Sequence, residues 1–196
     1  MSNAFPARSP ADLLPRDRFL SLSGLEYMRA VLDGRIAGPA IGATLGFRVI
    51  EVDPGRVVFE GRPEFAHTNP TGAPHGGWYG ALLDSCMACA VMTTVPKGSY
   101  YTTLEYRVNV TRPVPLGMRV VAEGLIQHAG RSTGVARGEI RSAEDGKLYA
   151  TGSTTCLVMS AGCGPAPAPG RATHGASGPG SRRPARWAWA CTRCCS

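Results

Sequence analysis

The chain has 196 residues, of which 43% are hydrophobic, and its formal net charge is +7. This length is sufficient for one domain with a buried core, and no apolar run approaches the roughly 20 residues that a membrane-spanning helix needs. Residues 161–196 contain five arginines and no acidic residue, which leaves only +2 for the first 160 residues. The charge of the main part of the chain therefore does not indicate a nucleic-acid partner.

The two ends of the chain differ in composition from the middle. Residues 1–15 are rich in proline and lack the basic start and apolar run of a secretory signal peptide, so we predict a flexible N-terminal segment and a cytoplasmic location. Residues 161–196 are rich in Gly, Pro, Arg and Cys without periodicity, which is typical of a disordered tail. The folded domain is therefore expected over residues 16–160, with no membrane partner.

The first predicted elements are a short helix and a hairpin. Ser23, with Glu26 three residues later, forms a capping box, which predicts a helix that continues to Leu32. Beyond it, Gly42–Asp53 and Arg56–Glu60 are expected to form two strands joined by a tight turn.

A long helix is predicted from Gly76 and Gly77 to about Thr93. Its apolar residues surround the axis instead of forming a stripe, which indicates a helix buried on all sides. Asp84 is the one charged residue within Trp78–Met92. Because an unpaired carboxylate out of water costs on the order of several kcal/mol, we expect it to be paired, protonated or used in chemistry. The free N–H groups at the helix start, together with this acid, suggest hydrolysis of an activated carbonyl.

Strands follow the long helix. Even-numbered residues of Thr102–Thr111 alternate with more polar odd-numbered ones, which predicts a strand whose even-numbered face points inward. Three further antiparallel strands are expected at Arg119–Gln127, Arg131–Ser142 and Lys147–Met159. Because no second helix of similar strength is present, the helix must be enclosed by a curved sheet, and the fold class is α+β.

Four motifs carry a resemblance to a known family. They are Asn69-Pro70-Thr71-Gly72-Ala73-Pro74-His75-Gly76-Gly77, Leu83-Asp84, Thr111-Arg112-Pro113 and Gly130-Arg131-Ser132. This set resembles the PaaI-type acyl-CoA thioesterases over about Ser23 to Met159. The resemblance implies a hotdog fold, in which a curved antiparallel sheet wraps around one long central helix. It also implies an acyl-CoA substrate, no metal, and no cofactor beyond the coenzyme A of the substrate.

The resemblance further implies roles for single residues in a site shared across a homodimer, or a dimer of dimers. Asp84 would be the general base, or would orient the attacking water. Gly76, with Gly77 beside it at the helix start, would donate its N–H to the thioester carbonyl. Asn69 would be a second polarising group, and His75 would hold the loop and assist in the same pocket.

Two more sets of residues follow from the family pattern. A hydroxyl on the next strand would position the water, which points to Thr103, with Thr102 as the alternative. The phosphates of coenzyme A need basic groups near the mouth of the site, and the candidates are Arg131, then Arg112 and Lys97.

Other interpretations of the same residues stay open. Asp84 also fits a buried ion pair with Arg107, and Asn69 fits an Asx turn in its own loop. His75 also fits a satisfied loop histidine, and Thr103 a residue facing solvent. At the level of function, the alternatives are a non-catalytic acyl-CoA-binding protein and a hotdog hydratase.

The acyl group is predicted to be an aryl or medium-chain group. Trp78 and Tyr79 are bulkier than the family pattern suggests after Gly-Gly, and we expect them to narrow the acyl pocket. The segment Ser85–Cys89 also departs from a more usual Gly/Ala-rich stretch, and it too is expected to affect which acyl group fits.

Overall fold

A computed structural model describes residues 2–163. The helices are α1 (Arg16–Leu20), α2 (Gly24–Leu32), α3 (Ile41–Leu45) and α4 (Gly76–Met92). The strands are β1 (Phe47–Asp53), β2 (Arg56–Gly61), β3 (Ser99–Val110), β4 (Val120–Ala129), β5 (Thr133–Ser142) and β6 (Leu148–Ser160). Apart from a 3-10 turn at Ala161–Cys163, the tail predicted over residues 161–196 lies outside the described residues.

The six strands form one antiparallel sheet in the order β1-β2-β4-β5-β6-β3. The sheet curves around α4, which packs against every strand from β2 to β6. Leu82, Leu83, Cys86 and Met87 of α4 are fully buried, because the helix is apolar around its whole circumference. The predicted α+β hotdog fold, with one long central helix, is confirmed.

A row of glycines explains how closely the sheet approaches α4. Gly124 of β4 pairs with Gly138 of β5, and Gly138 pairs with Gly152 of β6. A Cβ atom on Gly124 would collide with the backbone of Cys86, and one on Gly138 would lie 2.7 Å from Cγ of Met87. Gly124 and Gly138 therefore require glycine so that the helix can rest on the sheet, and a Cβ on Gly152 would lie 2.9 Å from Arg107 O and 3.2 Å from Cε of Met87.

The capping box predicted at Ser23 is present. Its Oγ accepts from the amide of Glu26, whose carboxylate accepts in return from the Ser23 amide at 2.7 Å. The strand predicted over Gly42–Asp53 is wrong in its first part, because the chain forms α3 there and β1 begins at Phe47. Gly46 ends α3 in the left-handed conformation (φ 68°), which a residue with a side chain adopts at a cost.

The N-terminal segment, predicted to be flexible, lies against the domain. The amide of Asn3 donates to Leu32 O at 3.0 Å, and the amide of Ala7 donates to Gly38 O at 2.8 Å. Ser2 Oγ donates to the carbonyl of Val49 at 2.8 Å. Two of these three hydrogen bonds join backbone groups. Amino-acid composition alone does not reveal such contacts.

A β-bulge in β3 changes which residues face the helix. The register shifts between Thr103 and Glu105, so Leu104 is the extra residue. Before the bulge Thr103 faces α4, and after it Tyr106 lies over Gly80 of that helix. The prediction that every even-numbered residue points inward is therefore wrong for Thr102 and Leu104, which are exposed.

Candidate active site

The start of α4 combines an engaged histidine with a free backbone donor. His75 is the N-cap residue, and its Nδ1 accepts from the N–H of Gly77 at 2.9 Å. The amide of His75 donates to His67 O at 2.8 Å, so this residue fixes the loop to the helix. Within residues 2–163 the N–H of Gly76 has no acceptor, and a Cβ placed there would meet nothing within 4 Å. Gly76 thus presents an N–H donor to open space at the positive end of the helix dipole.

Asn69 organises the loop that precedes α4. Its Oδ1 accepts from the amide of Thr71 at 2.9 Å, from the Thr71 hydroxyl at 2.7 Å and from the amide of Ala73 at 3.2 Å. This is the Asx-turn arrangement. Because backbone N–H groups require an acceptor, they also fix which side of the carboxamide carries the nitrogen. Nδ2 has no acceptor among the described residues, so its two N–H groups are available to a ligand.

Asp84 lies half-buried in the middle of α4 and has one polar side-chain partner among the described residues. Thr103 donates a hydrogen bond from Oγ1 to Oδ1 of Asp84 at 3.0 Å. Burial raises the pKa of Asp84, and the hydrogen bond from Thr103 opposes that rise. Arg107 lies 3.9 Å from Glu105 instead, so the ion pair considered between it and Asp84 is not formed.

The thiols near Asp84 are poor nucleophiles. Burial, reinforced by the charge of Asp84, raises the pKa of Cys89 to about 12. Burial also raises the pKa of Cys86 and Cys156. Because the thiolate is the reactive form, these cysteines act as small apolar residues.

The acid and the free N–H donor belong to two separate groups of residues. Gly76 and Asp84 are eight positions apart on one helix, about 12 Å along its axis and about 80° apart around it. We call Asn69–Gly77 the donor loop and the Asp84–Thr103 contact the acid pair. The two groups therefore lie more than two helical turns apart.

The three predicted phosphate contacts differ in their surroundings. Nζ of Lys97 lies 3.1 Å from Glu26, and the Arg112 guanidinium lies 5.8 Å from the centroid of the Tyr149 ring. Arg131 is exposed and forms no ion pair with any described residue.

An apolar cavity of about 580 Å³ lies next to the acid pair. We call it the seam cavity, since Val49 of edge strand β1 and Tyr101 of edge strand β3 both line it. The sequence did not predict this cavity. It also did not indicate a role for Tyr101, whose only sequence signal is its position two residues before Thr103. Trp78 and Tyr79, which were expected to narrow the acyl pocket, do not line this cavity.

Both aromatic residues are instead core residues with satisfied polar atoms. Nε1 of Trp78 donates to Leu45 O at 2.8 Å. The hydroxyl of Tyr79 accepts from the Val114 amide at 2.8 Å. In the described part of the chain, no helix combines the length and apolar character required to traverse a bilayer.

Comparisons with known proteins indicate the family of this chain. Residues 71–149 match the thioesterase superfamily. A putative thioesterase related to phenylacetic acid degradation, from Ralstonia eutropha JMP134, is 32% identical and superposes with a TM-score of 0.61 over 67% of this chain and 98% of that one. A mutant of the phenylacetic acid degradation protein PaaI from Thermus thermophilus is 32% identical, with a TM-score of 0.55 over 60% of this chain and 96% of that one.

A more distant similarity reaches a curated enzyme. The chain is 26% identical to acyl-coenzyme A thioesterase 13 of Homo sapiens over 107 residues, which is 55% of this chain and 76% of that protein. Together these similarities support thioester hydrolysis as the general activity. The chain belongs to the PaaI-type hotdog family of the thioesterase superfamily.

Proposed function

We propose that the protein hydrolyses acyl-CoA thioesters to a free acid and coenzyme A, using a water activated by Asp84. The observation that carries this proposal is the acid pair: a half-buried carboxylate whose only side-chain partner within residues 2–163 is the hydroxyl of Thr103. Burial raises the pKa of Asp84, which makes the ionised carboxylate a stronger proton acceptor.

The reaction needs few groups. The water oxygen forms a bond to the thioester carbonyl carbon while Asp84 takes a proton from the water. The carbonyl oxygen gains negative charge and accepts from the N–H of Gly76 and from Nδ2 of Asn69. The carbon–sulfur bond then breaks, and the thiolate of coenzyme A leaves and takes up the proton. A base of this kind typically contributes about 10²–10⁴-fold, and one oxyanion donor roughly 2.7–4 kcal/mol.

The donor loop and the acid pair that act on one substrate come from two copies of the chain. The separation of about 12 Å, more than two helical turns, between Gly76 and Asp84 along α4 supports this arrangement. His75 supports the donor loop through its bond to Gly77, and Thr103 holds the carboxylate that faces the partner's loop.

The exposed edge of β3 supports the same homodimer. Leu104 is 59% exposed, while Tyr106 and Val110 are each 47% exposed, although all three are large apolar residues. An uncovered apolar edge strand is a template for pairing with another strand. At the opposite edge, β1 is partly occupied by Ser2, so β3 is the edge that we assign to the second copy.

Release of free thiol from hexanoyl-, dodecanoyl- and phenylacetyl-CoA tests the activity directly. We expect turnover by the native protein and a large loss in the Asp84→Asn variant. If thioesters bind without thiol release, the protein is an acyl-CoA-binding protein and the proposal is wrong.

Mixed dimers test the shared site. Asp84→Asn and Gly76→Pro each remove one half of it, so each variant alone is expected to be nearly inactive. Refolding an equal mixture would place one intact site in half of the dimers, restoring about a quarter of native activity. A site contained within one chain would give no restoration on mixing.

A further inference from the structure

The seam cavity lies where the curved sheet does not close around α4. Ser85, Cys89 and Met92 of α4 form its floor, and α2 contributes the opposite wall with Val31. Phe19 of α1 completes the apolar lining on that side. The cavity is thus enclosed on one side by the long helix and on the other by the N-terminal helices.

We propose that the seam cavity receives the acyl group of the substrate and that its size selects a medium-chain alkyl group over a single aromatic ring. This inference rests on the proposed function. An apolar cavity of about 150 Å³ is large enough to hold benzene, whereas the seam cavity measures about 580 Å³. A ring alone would leave most of it unfilled, while a flexible alkyl chain can occupy it along its length.

The cavity adjoins the point where the thioester reacts. Ser85 on its floor directly follows Asp84 in α4. Tyr101 on its wall lies two residues before Thr103 on the same face of β3, a distance of about 7 Å along a strand. An acyl chain whose carbonyl carbon lies beside the acid pair therefore reaches the cavity within a few carbon atoms.

Several polar groups in the lining already have partners within the protein. Oγ of Ser85 donates to Ala81 O at 2.8 Å. At the rim, the carboxylate of Glu60 lies 3.2 Å from Arg48 and 3.4 Å from Arg119. Most of the other lining residues are apolar, which suits an alkyl chain better than the amide-containing arm of coenzyme A.

Chain-length profiles test the inference. Each methylene that leaves water is worth about fourfold in affinity, so kcat/KM is expected to rise steeply from hexanoyl- to dodecanoyl-CoA and to exceed the value for phenylacetyl-CoA. Val31→Phe fills the cavity, and we expect the ratio of kcat/KM for dodecanoyl- to hexanoyl-CoA to fall at least tenfold. Phe19→Ala enlarges the cavity and is expected to shift the optimum towards longer chains.

Two matched variants control for bulk and for loss of an aromatic ring. Val135→Phe makes the same change at a half-buried position of β5 outside the cavity, and Phe65→Ala removes a ring that is 82% exposed. Both variants are expected to keep the native ratio of kcat/KM for dodecanoyl- to hexanoyl-CoA. A Val31→Phe variant that melts near the native temperature and hydrolyses acyl-CoA with an unchanged ratio would overturn the inference.

A binding measurement separates this inference from the proposed function. Titration calorimetry with free dodecanoate requires no catalysis, and we expect binding that weakens at least tenfold in Val31→Phe but not in Val135→Phe. If dodecanoate binds in this way while no thioester is hydrolysed, the proposed function fails and the cavity assignment stands. If thioesters are hydrolysed but dodecanoate does not bind, the cavity assignment fails.

Discussion

The donor loop and the acid pair differ in how the fold treats their polar atoms. In the donor loop, Gly76 is exposed, and side-chain and backbone bonds hold the loop while its N–H stays uncovered. In the acid pair, Asp84 is half-buried, and in the described part of the chain its carboxylate is held by Thr103 alone. A donor needs only to be positioned and unoccupied, whereas a base becomes stronger when it is removed from water.

The two regions also differ in their effect on the stability of the folded chain. Ionised Asp84 is disfavoured by burial, so the acid pair lowers the stability of the folded chain at neutral pH. The donor loop carries no such penalty, since its polar atoms are either bonded or exposed. Variants in the two regions should therefore affect activity alike but stability differently.

The largest effect is expected from Asp84→Asn. This change should lower kcat by about 10²–10⁴ because the base is lost. It should also raise Tm at neutral pH, because the pKa of Asp84 is raised on folding. The stability that protonated Asp84 provides is complete below its unfolded pKa and is lost as pH rises through the folded pKa. Thermal unfolding at several pH values should show that the difference in Tm between the variant and the native protein disappears at acidic pH.

Gly76→Pro should have the next largest effect. Proline removes the N–H but suits the first position of a helix, and the extended backbone of His75 (φ −62°, ψ 143°) is compatible with a following proline. We expect kcat to fall by about 10²–10³ with little change in Tm. Gly76→Ala keeps the N–H and has room for its Cβ, so near-native turnover is expected there. Equal losses in both variants would show that the N–H is not the important group.

Thr103→Val should have a smaller and pH-dependent effect. It removes a hydrogen bond to a charged group, for which we expect about a tenfold loss in kcat. Because that bond lowers the pKa of Asp84, the acidic limb of the pH profile of kcat/KM should move to higher pH. Thr103→Ser keeps the hydroxyl group, so both kcat and the acidic limb of the pH profile should be close to those of the native protein. If kcat falls in Thr103→Val while the acidic limb of the pH profile stays at its native position, Thr103 has a purely structural role.

Arg131→Ala should have the smallest effect. If this exposed guanidinium contacts the phosphates of coenzyme A, KM should rise about three- to tenfold with kcat unchanged. The effect should shrink at high salt, since exposed charges are screened. Arg137→Ala on β5 is a matched control, being exposed and without an ion pair among the described residues.

The sequence predicted those features that depend on local patterns. The apolar circumference of α4 indicated its burial and its extent, and the capping box indicated the start of α2. Asp84 stood out because it is the one charge in an apolar helix. The free N–H at Gly76 followed from the glycines at the helix start.

Several features that depend on contacts between distant segments were not predicted. The β-bulge at Leu104 turns Thr103 towards the helix, and alternation alone placed that residue on the polar face. The seam cavity is formed by segments distant in the chain, so no local pattern indicates it. The same holds for the contacts of Ser2 and Asn3, which depend on where β1 and α2 lie.

The glycine row of Gly124, Gly138 and Gly152 places α4 directly on the backbone of the sheet. Main-chain atoms, which do not change with amino-acid type, therefore set the depth of the helix. Residues lining the seam cavity, such as Val31 and Phe19, lie on the far side of the helix from that support. On the proposed assignment, substitutions in this lining can change substrate preference among descendants of this chain while Asp84 keeps its place.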